Sequence, residues 1–399
     1  MRLLLVAPLL LLAGASVASA VVIYNVDIAS HLKHFTSQRF PNEEYNDGRL
    51  NAQKYIRDHF TNYGLRVFEH KFNTTVNTDP TGVTYPTKTV EGVNVIGIAE
   101  AVSNTPGAVL VVGADYDTSG LKNPMFDNGA GVAALLETAR LFTHNTRWSG
   151  VYTQNFTTIF VAYDLNTKEH GTSPGRPGGL FFMKDFLWSY LNQSQTNFGG
   201  AFIIDSIMNI NYNANSQRVD DNFNQLFPET YEHVVENDRK GDFLGVITIE
   251  GEKADLLRDQ FTGNYNWDRK RSSYHLEEMD IKKGSKLTEL VKELTKQETI
   301  NYWAFTVNDT VLSLPAVLLT DTQGLRDIPP MPDSCGNMCG ADDLLTTERV
   351  DFIDALVKGL VRTLMRRQGS PIDSPDAGVT SFPSLFMTVL LFIVVRLYQ

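Results

Sequence analysis

Residues 108–118 read Ala-Val-Leu-Val-Val-Gly-Ala-Asp-Tyr-Asp-Thr, and a short loop later residues 127–137 read Asp-Asn-Gly-Ala-Gly-Val-Ala-Ala-Leu-Leu-Glu. The first stretch is a continuous apolar run that stops abruptly at acidic residues. A run of that length without polar alternation is the signature of a strand buried on both faces. The second stretch opens on Asp127 and a glycine pair, then carries Val132, Leu135, Leu136, Ala139 and Phe142 at helical spacing. The helix is expected over 127–142, starting at an acidic residue as helix N-termini favour. Together they form a strand–loop–helix unit with acidic groups at its turn.

No internal repeat is visible between residues 21 and 366, but strands and helices alternate on either side of this unit. Gly48–Tyr63 has helical periodicity and stops at Gly64; 65–72 alternates like a strand, and Val93–Ile98 is an apolar strand. Further along come strands at 158–163, 201–204 and 315–319, with helices at 180–191 and 349–365 and an amphipathic stretch at 287–294. Alternation of this kind predicts an α/β fold: a three-layer α/β/α sandwich around a mostly parallel mixed sheet. Ligands in such sheets sit beyond the carboxyl ends of the strands. Five carboxylates are expected there, Asp115, Asp117, Asp164, Asp205 and Asp321. Asp is common in turns, so no single one of these carries weight; their shared position does. Trp303 and Tyr265-Asn266-Trp267 are read as core packing in preference to a pocket lining, and 217–239 as a solvated surface excursion in preference to a lid.

The chain has 399 residues, 42% of them hydrophobic, and a formal net charge of -11 with no basic cluster. That is ample for one large core and argues against a nucleic-acid partner. Residues 1–20 read as a secretory signal: Arg2, an apolar run to Leu12, and Ala18-Ser19-Ala20 as a cleavage site. Residues 21–366 are expected to form a single domain. Residues 367–399 hold a polar spacer and an apolar run from Phe382 to Val395. The layout matches a GPI-anchor signal with Asp376 as attachment residue; a short membrane-spanning helix is the alternative. Either places the domain in the secretory pathway, at the cell surface or facing a lumen. Sequons at Asn73, Asn155, Asn192 and Asn308 fit export. The two cysteines, Cys335 and Cys339, are expected to pair as a disulfide, with free thiols as the alternative.

Gly113–Thr118 and the Asp127-Asn128-Gly129-Ala130-Gly131 helix start resemble metallopeptidase family 28, the co-catalytic zinc aminopeptidases, whose relatives include glutaminyl cyclases and the nicastrin and transferrin receptor ectodomains. The resemblance covers about residues 30–365 and includes Asp205-Ser206-Ile207-Met208 and Leu319-Thr320-Asp321-Thr322. It implies two zinc ions held by two His, two Asp and a Glu, with a second Glu as general base. Carried over, Asp127 and Asp205 are retained as ligands and Asp117 as the orienting carboxylate. Asp115 stands where the first His belongs. The Glu pair falls on Asn166-Thr167 without a gap, or on Lys168-Glu169 with a two-residue insertion. Neither leaves a carboxylate base. None of the eight histidines lies between 70 and 144 or beyond 275, where the imidazole ligands belong; His170 reads as a surface residue.

The residual set Asp115, Asp127, Asp205 and Glu169 is all oxygen, suited to a hard cation better than to zinc. The expectation is therefore a noncatalytic, membrane-tethered ectodomain that holds no metal and binds a peptide or protein partner. The alternative is a hydrolase with a remodelled zinc or hard-cation site.

Overall fold

The structure is a computed structural model. It describes residues 26–79, 86–102, 107–119, 122–148, 153–166, 177–266, 274–282, 299–328 and 340–368. Its strands are β1 (Arg66–Asn77), β2 (Thr87–Ala99), β3 (Ala108–Asp115), β4 (Thr157–Tyr163), β5 (Asn197–Asp205), β6 (Phe243–Ile249), β7 (His275–Ile281), β8 (Phe305–Val307), β9 (Thr310–Leu312) and β10 (Ala316–Thr320). Eight of them form one sheet in the order β1-β2-β4-β3-β5-β10-β6-β7, and β8 and β9 form a small hairpin.

The centre of the sheet is parallel: β4, β3, β5 and β10 run the same way. β2 and β6 flank them antiparallel, with β1 antiparallel to β2 and β7 parallel to β6. The sheet is thus mixed and mostly parallel, with helices on both faces. β1 and β2 are longer than the apolar cores of 65–72 and 93–98 imply, because the two pair as a hairpin from Arg66↔Ile98 to Asn77↔Thr87. β6 and β7 extend the sheet beyond the strand–helix alternation visible in the sequence.

Period-two alternation decides which residues meet which layer. Leu110, Val112 and Ala114 of β3, Phe202 and Ile204 of β5, and Val317 and Leu319 of β10 face one core. That core is closed by the Asn46–Asn62, Ala130–Thr143, Glu252–Tyr265 and Thr347–Gln368 helices. Val109, Val111, Ala201, Ile203, Ala316 and Leu318 face the second core, against Phe182, Met183, Leu187 and Tyr302. Leu135, Leu136 and Phe142 are fully buried, each worth roughly 1.5–3 kcal/mol of transfer free energy. The Ala130–Thr143 helix is buried nearly all round, Arg140 excepted, because the Thr347–Gln368 helix lies across its outer side.

Local signals set the ends. The Asn46–Asn62 helix stops before Gly64, whose φ of +76° suits the one residue type without a Cβ. The helical run 177–194 ends on Gln195 in the left-handed region. The Thr347–Gln368 helix runs two residues past the expected boundary at 366.

The reading of 217–239 as a solvated excursion is corrected. It folds into the Asp221–Leu226 and Pro228–Glu236 helices, which bury Phe223, Phe227 and Val234 in the second core. Asp220 caps the first by accepting from the Phe223 amide, and Pro228 starts the second at a position that needs no amide hydrogen. Trp303 is core, its Nε1 donating to the Ala316 carbonyl at 3.1 Å; Tyr265 is also buried, while Trp267 and the stretch 287–294 lie outside the described residues.

Candidate functional site

The parallel strands end side by side. Asp115 of β3 pairs in register with Tyr163 of β4, immediately before Asp164, and Asp205 of β5 pairs with Thr320 of β10, immediately before Asp321. The acidic rim read from the sequence therefore forms one row along the carboxyl edge of the sheet. Asp115, Asp117, Asp127, Asp164, Asp205 and Asp321 are all buried.

Asn128 is the hub between β3 and β5. Its Nδ2 donates to Asp115 Oδ1 at 2.5 Å and to the Ile204 carbonyl at 2.9 Å, and its Oδ1 accepts from the Ser206 amide at 2.9 Å. The Asp127–Asn128 peptide is cis. The side chain lies so close to the helix start that a Cβ on Gly131 would sit 2.1 Å from Asn128 Oδ1. The regular helix begins only at Ala130, later than the expected 127, because Asp127 and Asn128 have non-helical backbone angles and serve the rim instead.

Each rim carboxylate meets donors from the chain itself. Asp127 Oδ2 accepts from the Ser119 amide at 2.6 Å, and Lys122 Nζ lies 3.8 Å from Asp127 Oδ1. Asp205 Oδ2 accepts from Gln323 Nε2, and its Oδ1 from Ser206 Oγ at 3.3 Å. Asp117 Oδ1 accepts from the Asn166 amide at 2.9 Å, which sets Asn166 beside the β3 loop. Asp164 Oδ2 accepts from Arg49 Nη1 at 2.6 Å and the Val93 amide at 2.8 Å. Asp321 accepts from the Asn209 and Gln323 amides at 2.7 and 2.9 Å.

Four cations back this row. Arg39 is fully buried and gives all its donors to main-chain carbonyls: those of Tyr116, Phe35, Ser37, Pro124 and Asp127, at 2.5 to 3.1 Å. Burial pulls its pKa down to about 10, against the pull of Asp127, Asp117 and Asp115, so it stays charged at neutral pH. Arg49 holds Asp164, Lys122 reaches Asp127, and the charge of buried Arg326 acts on Asp321. Burial raises Asp205 to about 6 and Asp321 to about 7; Lys122 and Arg326, respectively, work against it.

Of the other sequence candidates, Lys168, Glu169, His170, Cys335, Cys339 and Asp376 lie outside the described residues. Asn73, Asn192 and Asn308 are exposed; Asn155 is half-buried and its Nδ2 donates to the Gln368 carbonyl. Five of the seven described histidines engage groups away from the rim: His31 bonds Glu137, His59 bonds Tyr63, His34 stacks on Tyr55, His70 bonds Asn94 and His233 bonds Glu277. Among the described residues no helix is long and apolar enough to cross a membrane. Arg39, Lys122, Asn128 and Gln323 were not candidates from the sequence as rim-holding residues. Only Asn128 had a signal, its place inside the Asp-Asn-Gly-Ala-Gly motif.

Residues 94–164, which span β3, the Asn128 hub and β4, match the profile of peptidase family M28. The chain has the peptidase family M28 fold. Solved structures similar to it include the aminopeptidase from Aneurinibacillus sp. strain AM-1, at 12% identity over 88% of this chain and 95% of that one, TM-score 0.53. The zinc aminopeptidase BSAP from Bacillus subtilis is 10% identical over 86% and 96%, TM-score 0.52. The glutaminyl cyclase of Porphyromonas gingivalis is 11% identical over 85% and 97%, TM-score 0.50. Comparison with curated protein sequences gives no match. At these identities the M28 likeness is one of fold. It puts this rim at the strand ends of an M28 sheet and leaves its chemistry to the residues that line it.

Proposed function

We propose that this chain is a noncatalytic M28-fold ectodomain, tethered through its C-terminal tail on the outer or lumenal face of a membrane, that binds a peptide or protein partner in the old cleft. The observation that carries the reading is the donor set at the strand ends. Asp115 stands at the position the family resemblance gives to an imidazole, and Asn128 takes one of its oxygens at 2.5 Å. Asp127 and Asp205 likewise accept from Ser119, Gln323 and Ser206. No histidine follows residue 275 to supply the other imidazole.

These residues do not fit a dinuclear zinc centre, which takes nitrogen as well as oxygen donors. A carboxylate base is lacking on either alignment too: Asn166, or Lys168 with the two-residue insertion, occupies that place, and neither an amide nor an ammonium takes up a proton at neutral pH. Asp164, the nearest carboxylate along the chain, is held by Arg49. An acidic, hydrogen-bonded rim still favours a cationic or amino-terminal group of a peptide. The secretory signal at 1–20 and the polar spacer and apolar tail at 367–399 support the tether, by a GPI anchor or a short spanning helix.

The test is metal content and activity of the secreted domain without its tail. The expected result is less than a tenth of a zinc ion per chain and no release of amino acids from unblocked peptides. Stoichiometric zinc, with chelator-sensitive release of amino-terminal residues, would sink the proposal in favour of a remodelled hydrolase.

A further inference from the structure

We propose that the Lys122 ammonium is a tethered cation standing in for a bound metal ion at Asp127, on the rim that Asp127 shares with Asp205. The idea rests on the noncatalytic reading of the rim and says what keeps that rim stable and closed to metals.

Three features point to a built arrangement. The Lys122 carbonyl accepts from Gln38 Nε2 at 2.7 Å, which ties this backbone to the Gln38 segment. Asn123 then turns the chain into the rim: its carbonyl accepts from the Phe126 and Asp127 amides at 3.1 and 3.0 Å, and its Oδ1 accepts from Met125 at 3.0 Å. The ammonium so delivered lies 3.8 Å from Asp127 Oδ1, while the Ser119 amide occupies Oδ2. Its charge also acts on Asp205, where it is the largest influence opposing burial. The two carboxylates repel each other, and Arg39 stands behind Asp127 with its guanidinium on the Asp127 carbonyl. Lys122, partly exposed, adds a second positive charge beside Asp127.

The consequence is competitive. A divalent cation approaching Asp127 and Asp205 must displace a positive charge that is covalently part of the chain and cannot be diluted away. Lys122 is 43% exposed, so its ion pair with Asp127 adds little to global stability. Its effect is local, and its removal spares the fold.

The tailless secreted domain serves as wild type beside Lys122→Ala, Lys122→Arg and Lys122→Ala/Asp127→Asn. Each is titrated with MnCl2, and separately with CaCl2, by calorimetry, with melting curves to verify folding. Lys122→Ala is expected to bind one Mn2+ or Ca2+ per chain at least tenfold more tightly than wild type. Lys122→Arg is expected to match wild type, and the double variant to lose the gain. Equal affinity of wild type and Lys122→Ala, or a gain that survives Asp127→Asn, overturns the role of Lys122 and leaves the noncatalytic reading standing. Stoichiometric zinc in the wild type as purified overturns both.

Discussion

Replacing Arg39 by methionine keeps most of the apolar stem and removes the guanidinium, with its five donors and its charge. The structure sets the scale of the loss. The guanidinium bonds carbonyls from three separate segments: residues 35–37, the loop after β3 at Tyr116, and the turn at Pro124 and Asp127. In the variant the carbonyls of Phe35, Tyr116 and Asp127 lose this donor at about 1–3 kcal/mol each before relaxation, while that of Pro124 keeps the Gly129 amide at 3.1 Å and that of exposed Ser37 can turn to water. Water entry and backbone adjustment recover part of that. Breaking a buried charged network from one side costs about 3–5 kcal/mol, and that is the expected loss. With an unfolding entropy of roughly 0.7 kcal/mol/K for a domain of this size, melting falls by about 4–7 °C. Arg39→Lys should recover less than half, because an ammonium offers three donors where the guanidinium uses five. Urea titration and thermal melts followed by circular dichroism read both variants. A methionine variant within about 1 kcal/mol of wild type would refute the account. So would full rescue by lysine, which would leave charge alone as the cause.

Two more predictions bear on the same rim. Gly131→Ala at an ordinary helical site would gain about 1 kcal/mol, but here the new Cβ meets Asn128 Oδ1 at 2.1 Å and the sign reverses, to a loss of about 1–3 kcal/mol in the same melts. A stabilised Gly131→Ala would show that Asn128 is free to move. Asp321 and Asp205 are pushed up by burial to about 7 and about 6, from 3.8, so the native state binds their protons more tightly than the unfolded chain. Their drag on stability is absent below pH 3.8 and complete above pH 7. Stability is therefore expected to be higher at pH 6.5 than at pH 8, almost wholly through Asp321, by about 1 kcal/mol or less. His59, held down to about 4 mainly by burial, opposes this only below pH 6.5. A melting temperature that climbs from pH 6.5 to pH 8 would contradict the assignment.

The parallel centre of the sheet was legible because its strands are buried on both faces, which leaves an unbroken apolar run with an acidic stop in β3, β4, β5 and β10. The row Asp115, Asp164, Asp205 and Asp321 follows from topology alone once those strands are parallel. What holds the row was not legible. Arg39 lies 77 to 88 residues from the rim carbonyls it serves, and main-chain acceptors have no residue-type signature. Gln323 meets Asp205 across 118 residues. The segment 217–239 misled because its composition is mostly polar, while a few spaced apolar side chains, chiefly Phe223, Phe227 and Val234, anchor it in the second core. The helix start shifted from 127 to 130 because Asn128 gives its side chain to β5 instead of capping.

The last helix also determines where the chain leaves the domain. Gln368 is fastened to the beginning of β4: its Oε1 accepts from the Phe156 amide at 2.8 Å and its carbonyl accepts from Asn155. β4 has seven residues, about 23 Å of strand, and its far end carries Asp164. Residue 368 thus lies at the floor of the sheet, while the acidic rim lies at its ceiling. A ligand that reaches the acidic rim therefore meets it about a strand's length away from the residue on which the last helix ends.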